Sequence, residues 1–117
     1  MTTDDLINII FGSVKITNKP VTYLWLWSQM SGNALWKGRH SQAEVMRELG
    51  RITDRCIQQG LPIVSAAVVR SRTGDATLQA KQNLLASCVH RVNTDSLQAQ
   101  EFFSQQQAAV IALAKNQ

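Results

Sequence analysis

A mainly α-helical domain with a small β element is the fold class that this chain of 117 residues predicts. Three observations predict it. The stretch Ser41 to Gly60 carries signals for both ends of a helix, with an apolar stripe between them. Ile63 to Val69 is rich in β-branched residues and reads as a strand. From Asp95 onward, Ala99, Phe102, Phe103, Val110 and Leu113 recur along a C-terminal helix of about 18 residues.

Taken in order, Thr2 or Thr3 followed by Asp4 and Asp5 reads as a helix start, and Leu6, Ile9 and Ile10 form a short apolar face that runs out near Gly12. Asn18-Lys19-Pro20 is a turn. Val21 to Trp27 fits either a strand, through its alternating aromatic positions, or a helix, through Leu24 or Tyr23 with Trp27. Met30-Ser31-Gly32-Asn33 has turn chemistry.

In the central helix, Ser41 followed by Glu44 is a capping box, in which hydroxyl and carboxylate each take one orphan amide. Gly60 supplies the left-handed stop, with Pro62 beyond it. Val45, Leu49, Ile52 and Cys56 form the core-facing stripe. Gly50 breaks local propensity. Glycine costs roughly 1 kcal/mol against alanine inside a helix, so close approach by another backbone is expected there. After the strand, Arg70 to Asp75 forms a hairpin-like tip, and Leu84, Leu85, Cys88 and Val89 suit a further helix within Leu78 to Val92. Asp95 and Gln98 make a second capping box for the last helix.

Composition bounds the function. A chain of this length forms one domain (1–117), read as a core over 21–92 with flanking helices over 3–12 and 95–114. A hydrophobic fraction of 44% is enough for a core. The apolar runs are far shorter than the roughly 18 residues that span a bilayer. An acidic N-terminus lacks the positive start of a signal peptide, so the expected compartment is the cytoplasm, with no membrane partner. Cys56 on the apolar stripe reads as a core thiol, and Cys88 and His90 lack a second cluster to complete a zinc site. No metal and no cofactor is expected.

Charge is distributed unevenly. Between Lys37 and Arg91 there are nine Lys or Arg against four acids, leaving +5, whereas the whole chain carries +4. The middle segment is therefore the basic one, as a phosphate-contacting surface requires. Within it Arg47, Arg51 and Arg55 stand at successive i,i+4 positions on one side of the helix. Glu44 stands three residues before Arg47, Glu48 three before Arg51 and Arg51 three before Asp54, so local ion pairing on an exposed helix is the alternative.

The order helix, probable helix, turn, long helix, strand, basic tip, helix, helix is the skeleton of a winged helix-turn-helix with an added C-terminal helix. Val21-Thr22-Tyr23 with Leu26, then Arg47-Glu48-Leu49-Gly50-Arg51, Gly60-Leu61-Pro62, Val68-Val69-Arg70 and Thr73-Gly74 follow one another in an order that resembles the DNA-binding half of alkylguanine-DNA alkyltransferases and alkyltransferase-like proteins. It looks closer still to small modules found beside HNH-type restriction endonucleases. The resemblance covers a little under half of the chain. It departs at one decisive place. Where the alkyltransferase signature has Pro-Cys-His-Arg-Val, this chain has Ser65-Ala66-Ala67-Val68-Val69, with no thiol nucleophile. Cys88-Val89-His90-Arg91-Val92 echoes that unit about twenty residues too late and with an inserted valine.

Three function classes follow. Duplex DNA binding without catalysis would place Arg47, Arg51 and Arg55 along the groove, Gln42 at base edges, and Arg39, His40, Arg70 and Arg72 on phosphates or backbone. The resemblance implies an accessory or regulator of a phage or restriction/defence system. A protein-binding adaptor or inhibitor of mobile-element origin would use the same fold on a host protein, with Trp25, Trp27 and Trp36 as an aromatic hot spot if exposed. Trp36 fits either core packing or stacking. Catalysis is the weakest reading, because no triad, phosphate-cradling glycine loop or carboxylate cluster is present in the sequence.

Overall fold

The computed structural model describes residues 2–70, 73–89 and 96–116. Its helices are α1 (Thr3–Thr17), α2 (Tyr23–Ser31), α3 (Arg39–Gln59), α4 (Leu78–Val89) and α5 (Ser96–Lys115). Two short strands, β1 (Val21–Thr22) and β2 (Val68–Val69), pair in parallel with Val21 opposite Val68 and Thr22 opposite Val69. The chain is thus mainly helical with a small β element.

The start of α1 is a complete capping box. The Thr2 hydroxyl accepts from the Asp5 amide at 3.1 Å, and the Asp5 carboxylate accepts from the Thr2 amide at 3.0 Å. The helix does not stop at Gly12. Val14 is fully buried and continues the face of Leu6, Ile7, Ile10 and Phe11, so tertiary packing outweighs the glycine and carries α1 to Thr17. Asn18, left-handed at φ 59°, ends it.

Val21 to Trp27 resolves into both of its readings. The first two residues pair with β2, and Thr22 then caps α2 by accepting from the Trp25 amide at 3.1 Å. Gly32 and Asn33 both take left-handed conformations and close α2.

α3 begins two residues before the expected cap. Its N-cap is Gly38, without a side-chain bond, and Ser41 lies buried in the first turn, where its hydroxyl accepts from the Lys37 amide at 2.7 Å. The Ser41–Glu44 capping box does not form, because Ser41 already lies inside the helix with its hydroxyl on the Lys37 amide, and Glu44 pairs with Arg47. The C-terminus matches the sequence reading: Gly60 is left-handed at φ 66°, and the amides of Gly60 and Leu61 cap the last carbonyls. Val45, Leu49, Ile52 and Cys56 are all buried. Gly50 is corrected. It is exposed, and a methyl group there would meet nothing within 4 Å.

The expected strand from Ile63 is mostly a 3-10 turn, Val64–Ala67, and only Val68–Val69 pairs. Val64, Ala66, Ala67 and Val68 have no exposed surface, and among the described residues β1 is the one strand alongside, reaching only Val68 and Val69. The turn's backbone groups find partners on α5 instead of in a sheet. Gln106 Oε1 accepts from the Ile63 amide at 2.9 Å, and Gln107 Nε2 donates to the Ala66 carbonyl at 3.0 Å. Thr53 of α3 reaches the same segment through its 2.6 Å contact with Ser65. Ala99, Phe103, Val110 and Ala114 bury the inner face of α5 against this centre. Asp95, the proposed cap of α5, lies outside the described residues. Among the described residues no helix is long and apolar enough to cross a membrane.

Replacing Gln106 or Gln107 with leucine leaves one of these backbone groups without its partner. Urea unfolding is expected to show a loss of about 1–3 kcal/mol for each, while Gln105→Leu, exposed on the same helix, changes stability by no more than about 0.5 kcal/mol.

Candidate nucleic-acid interface

The stripe of Val45, Leu49, Ile52 and Cys56 faces inward, so the helical repeat turns the three arginines of α3 outward. Their side chains retain 60%, 59% and 43% of their surface at Arg47, Arg51 and Arg55. All three nevertheless contact carboxylates, and the contacts differ in kind.

Arg47 pairs with Glu44 one turn earlier, and both side chains are solvated. An exposed i,i+3 pair of this sort is worth a few tenths of a kcal/mol and yields readily to a phosphate. Arg51 donates to Glu48 at 2.7 Å, and Glu48 is buried and also accepts from the Thr3 hydroxyl at 2.9 Å. This chain of contacts ties α3 to the start of α1. Withdrawing Arg51 would leave a buried carboxylate short of its cation, which is unfavourable. Arg55 makes a two-pronged contact with Asp4, Nε to Oδ1 at 2.9 Å and Nη2 to Oδ2 at 3.2 Å. The Asp4 hydrogen bond and charge hold the Arg55 guanidinium still more firmly protonated than usual. Arg51 and Arg55 therefore act as tethers between helices, and the row is not one uniform cationic ridge.

Unengaged positive charge gathers at the other end of α3. Lys37, Arg39 and His40 are exposed, and among the described residues none of them forms an ion pair. Gln42 is exposed beside them. The His40 ring meets Trp27 edge-on at 6.3 Å, and so does the Trp36 ring. Trp27 itself is buried, with its indole NH donating to the Ala34 carbonyl at 2.9 Å, and Trp25 is half-buried. Trp36 is 38% exposed and Leu35 84% exposed. Of the three tryptophans only Trp36 is exposed, and the exposed Leu35 beside it is the apolar side chain the sequence does not single out.

The tip after β2 is closed by its own backbone. The Arg70 amide donates to the Asp75 carbonyl at 2.8 Å, and the Gly74 amide to the Arg70 carbonyl at 2.9 Å, with Gly74 left-handed at φ 68°. Arg70 is exposed, its Nε turned toward the Asp75 carbonyl at 3.4 Å. Arg72 lies outside the described residues, as do His90 and Arg91. The tip leads into α4, whose Lys81 donates to Asp75 at 2.8 Å and lies 5.4 Å from the Phe103 ring centre. Partial burial works to raise the Asp75 pKa, but Lys81, the Ala76 amide and Arg70 together hold it below the ordinary 3.8.

Cys56 is a buried core thiol, and burial pushes its pKa up, away from nucleophilic use. Among the described residues no group of three or more His, Cys, Asp or Glu side chains is placed to hold a metal.

Comparison with protein-family models found no match, and neither the curated proteins nor the solved structures include one that matches the chain.

The depressed Asp75 pKa makes the tip sensitive to acid. A carboxylate lowered on folding stabilises the native state above its unfolded pKa and loses that effect as pH falls through the folded value. The stability advantage of the native protein over Asp75→Asn is thus expected at neutral pH and should close as pH drops below 3.8, followed by urea midpoints across the acid range.

Proposed function

We propose that this protein binds duplex DNA without catalysing a reaction on it, in the manner of a winged helix-turn-helix. The first half of α3 enters the major groove, and the tip at Arg70 lies against a backbone phosphate. The observation that carries the reading is the pair of exposed cations at the start of α3, Lys37 and Arg39, with the exposed His40 beside them and Arg47 about two turns further on. Amides at the start of a helix add to the same positive potential. Gln42, exposed on the first turn, has the donor and acceptor pair that reads an adenine edge. Arg51 and Arg55 contribute mainly by fixing α3 against α1, so their effect on affinity passes through helix position. An accessory or regulatory role in a phage or restriction/defence system is the setting that the resemblance of the middle segment implies, and the acidic N-terminus suits the cytoplasm for it.

One observation favours a second reading. Leu35 and Trp36 are exposed together beside the same cations, and an aromatic anchor with a basic rim also suits an adaptor or inhibitor that docks on an acidic patch of another protein.

Duplex affinity measured by anisotropy at several salt concentrations tests the first reading. Log K should fall with log salt by about 0.9 per phosphate engaged. The double variant Arg39→Ala/Arg47→Ala should flatten that slope by about 2, whereas Arg55→Ala, already committed to Asp4, should leave it nearly unchanged. Salt-independent binding, or an equal effect of all three arginines, would overturn the assignment.

A further inference from the structure

The loop between α2 and α3 is held at both ends and carries its apolar side chains between the two holds. On one side the Asn33 amide donates to the Ser28 carbonyl at 2.9 Å, the Ala34 amide donates to the Ser31 hydroxyl at 3.1 Å, and the Ala34 carbonyl accepts from the Trp27 indole. On the other side the Lys37 amide donates to the Ser41 hydroxyl. Leu35 and Trp36 stand between these holds, both exposed. Their backbone is thus ordered before any partner arrives, which lowers the entropic cost of binding through them.

Trp36 meets Trp27 at an interplanar angle of 80°, so the contact uses the edge of one ring and leaves at least one face of Trp36 uncovered by Trp27. His40 meets the same indole at 83°, which gathers both rings around one buried neighbour. With Arg39 they make three exposed planar groups within five residues. The charge around them has one sign. From Leu6 to Ala43 the sequence has no acidic residue, α2 has no charged one, and Glu44, the next acid, is paired with Arg47.

We propose that this loop binds an unpaired nucleotide adjoining the duplex that α3 engages, so that the preferred ligand is a duplex with a single-stranded extension. The proposal rests on the duplex reading above and names its substrate class. Inside a continuous duplex both faces of every base are covered by its neighbours, so Trp36 finds a stacking partner only where a base is unpaired. The base stacks on Trp36 with Leu35 beside it, and Lys37 and Arg39 meet the flanking phosphates. An acidic protein patch would also satisfy the cations, but its carboxylates offer no wide flat face to the rings.

Anisotropy titrations of the full-length protein compare a blunt duplex, the same duplex with a short thymine tail, and the same duplex with an abasic tail of equal phosphate count. The thymine tail is expected to tighten binding about tenfold over the blunt duplex, and the abasic tail to give only a small part of that gain. Trp36→Ala should abolish the gain, Trp36→Phe should keep part of it, and Leu35→Ala should reduce it, with the blunt duplex bound as before. Equal affinity for blunt and thymine-tailed duplexes, or equal gain from thymine and abasic tails, would overturn the proposal and leave the duplex reading in place. Refusal of the blunt duplex would overturn that reading and the proposal with it. Displacement of the tailed duplex by polyglutamate as effectively as by a free thymine strand would assign the loop to an acidic protein partner and also overturn the proposal. The comparison of thymine with abasic tails on the native protein decides the matter if a Trp36 variant fails to fold.

Discussion

The segment Ile63 to Val69 is backbone in the middle of a core, and the fold is arranged so that its amides and carbonyls are not left unpaired. A wide sheet would solve that problem, but here the paired length is two residues. The remaining polar groups are met from the helices around it: Gln106 and Gln107 on α5, with Thr53 on α3 holding Ser65. These glutamines are as important to the architecture as the apolar residues beside them, because a buried backbone group without a partner is more unfavourable than a typical contact is favourable. The central turn thus acts as a polar spine inside an apolar shell. α1, α3, α4 and α5 all pack against it.

Helix α3 serves that spine with one face and meets solvent with the other, and its outward charges divide by position. Toward its C-terminus the arginines join α3 to α1, through Glu48 and Thr3 in one case and Asp4 in the other. Toward its N-terminus the cations are exposed and available. This division concentrates the usable positive potential in a smaller area than the spacing of arginines alone implies, and it places that area next to Leu35 and Trp36.

Much of this was legible in the sequence. The left-handed stop at Gly60, the buried stripe of α3, the turn at Asn18 and the closed tip at Arg70 to Asp75 follow from local chemistry, and local chemistry is what a sequence displays directly. What could not be read was set by distant partners. Asp4 and Arg55 are far apart along the chain, so the exposed arginine row resembled a free surface until α1 was in place. The β-branched run after Pro62 has strand propensity, but β1 reaches only its last two residues, and the α5 glutamines meet backbone groups of the 3-10 turn before them. Ser41 looked like a cap because its residue type and spacing fit, yet a serine in the first turn can also hold the amide just before the helix, and it does so for Lys37. Gly50 was legible as an anomaly, although the space beside it lies open and no neighbouring backbone approaches.

The parallel register of β1 with β2 has a topological consequence. Those two rungs act as a clasp at the base of the excursion that contains α2, the loop to Gly38 and α3. Closing so long a loop is entropically expensive, but the expense grows slowly with length, so few rungs suffice once the enclosed helices pack. Undoing the clasp would loosen β1 and α2 at the base of the excursion, while α3 stays tied to α1 through the Glu48–Thr3 and Arg55–Asp4 contacts. Any partner that grips the start of α3 would therefore pull on α1 as well, through those ties.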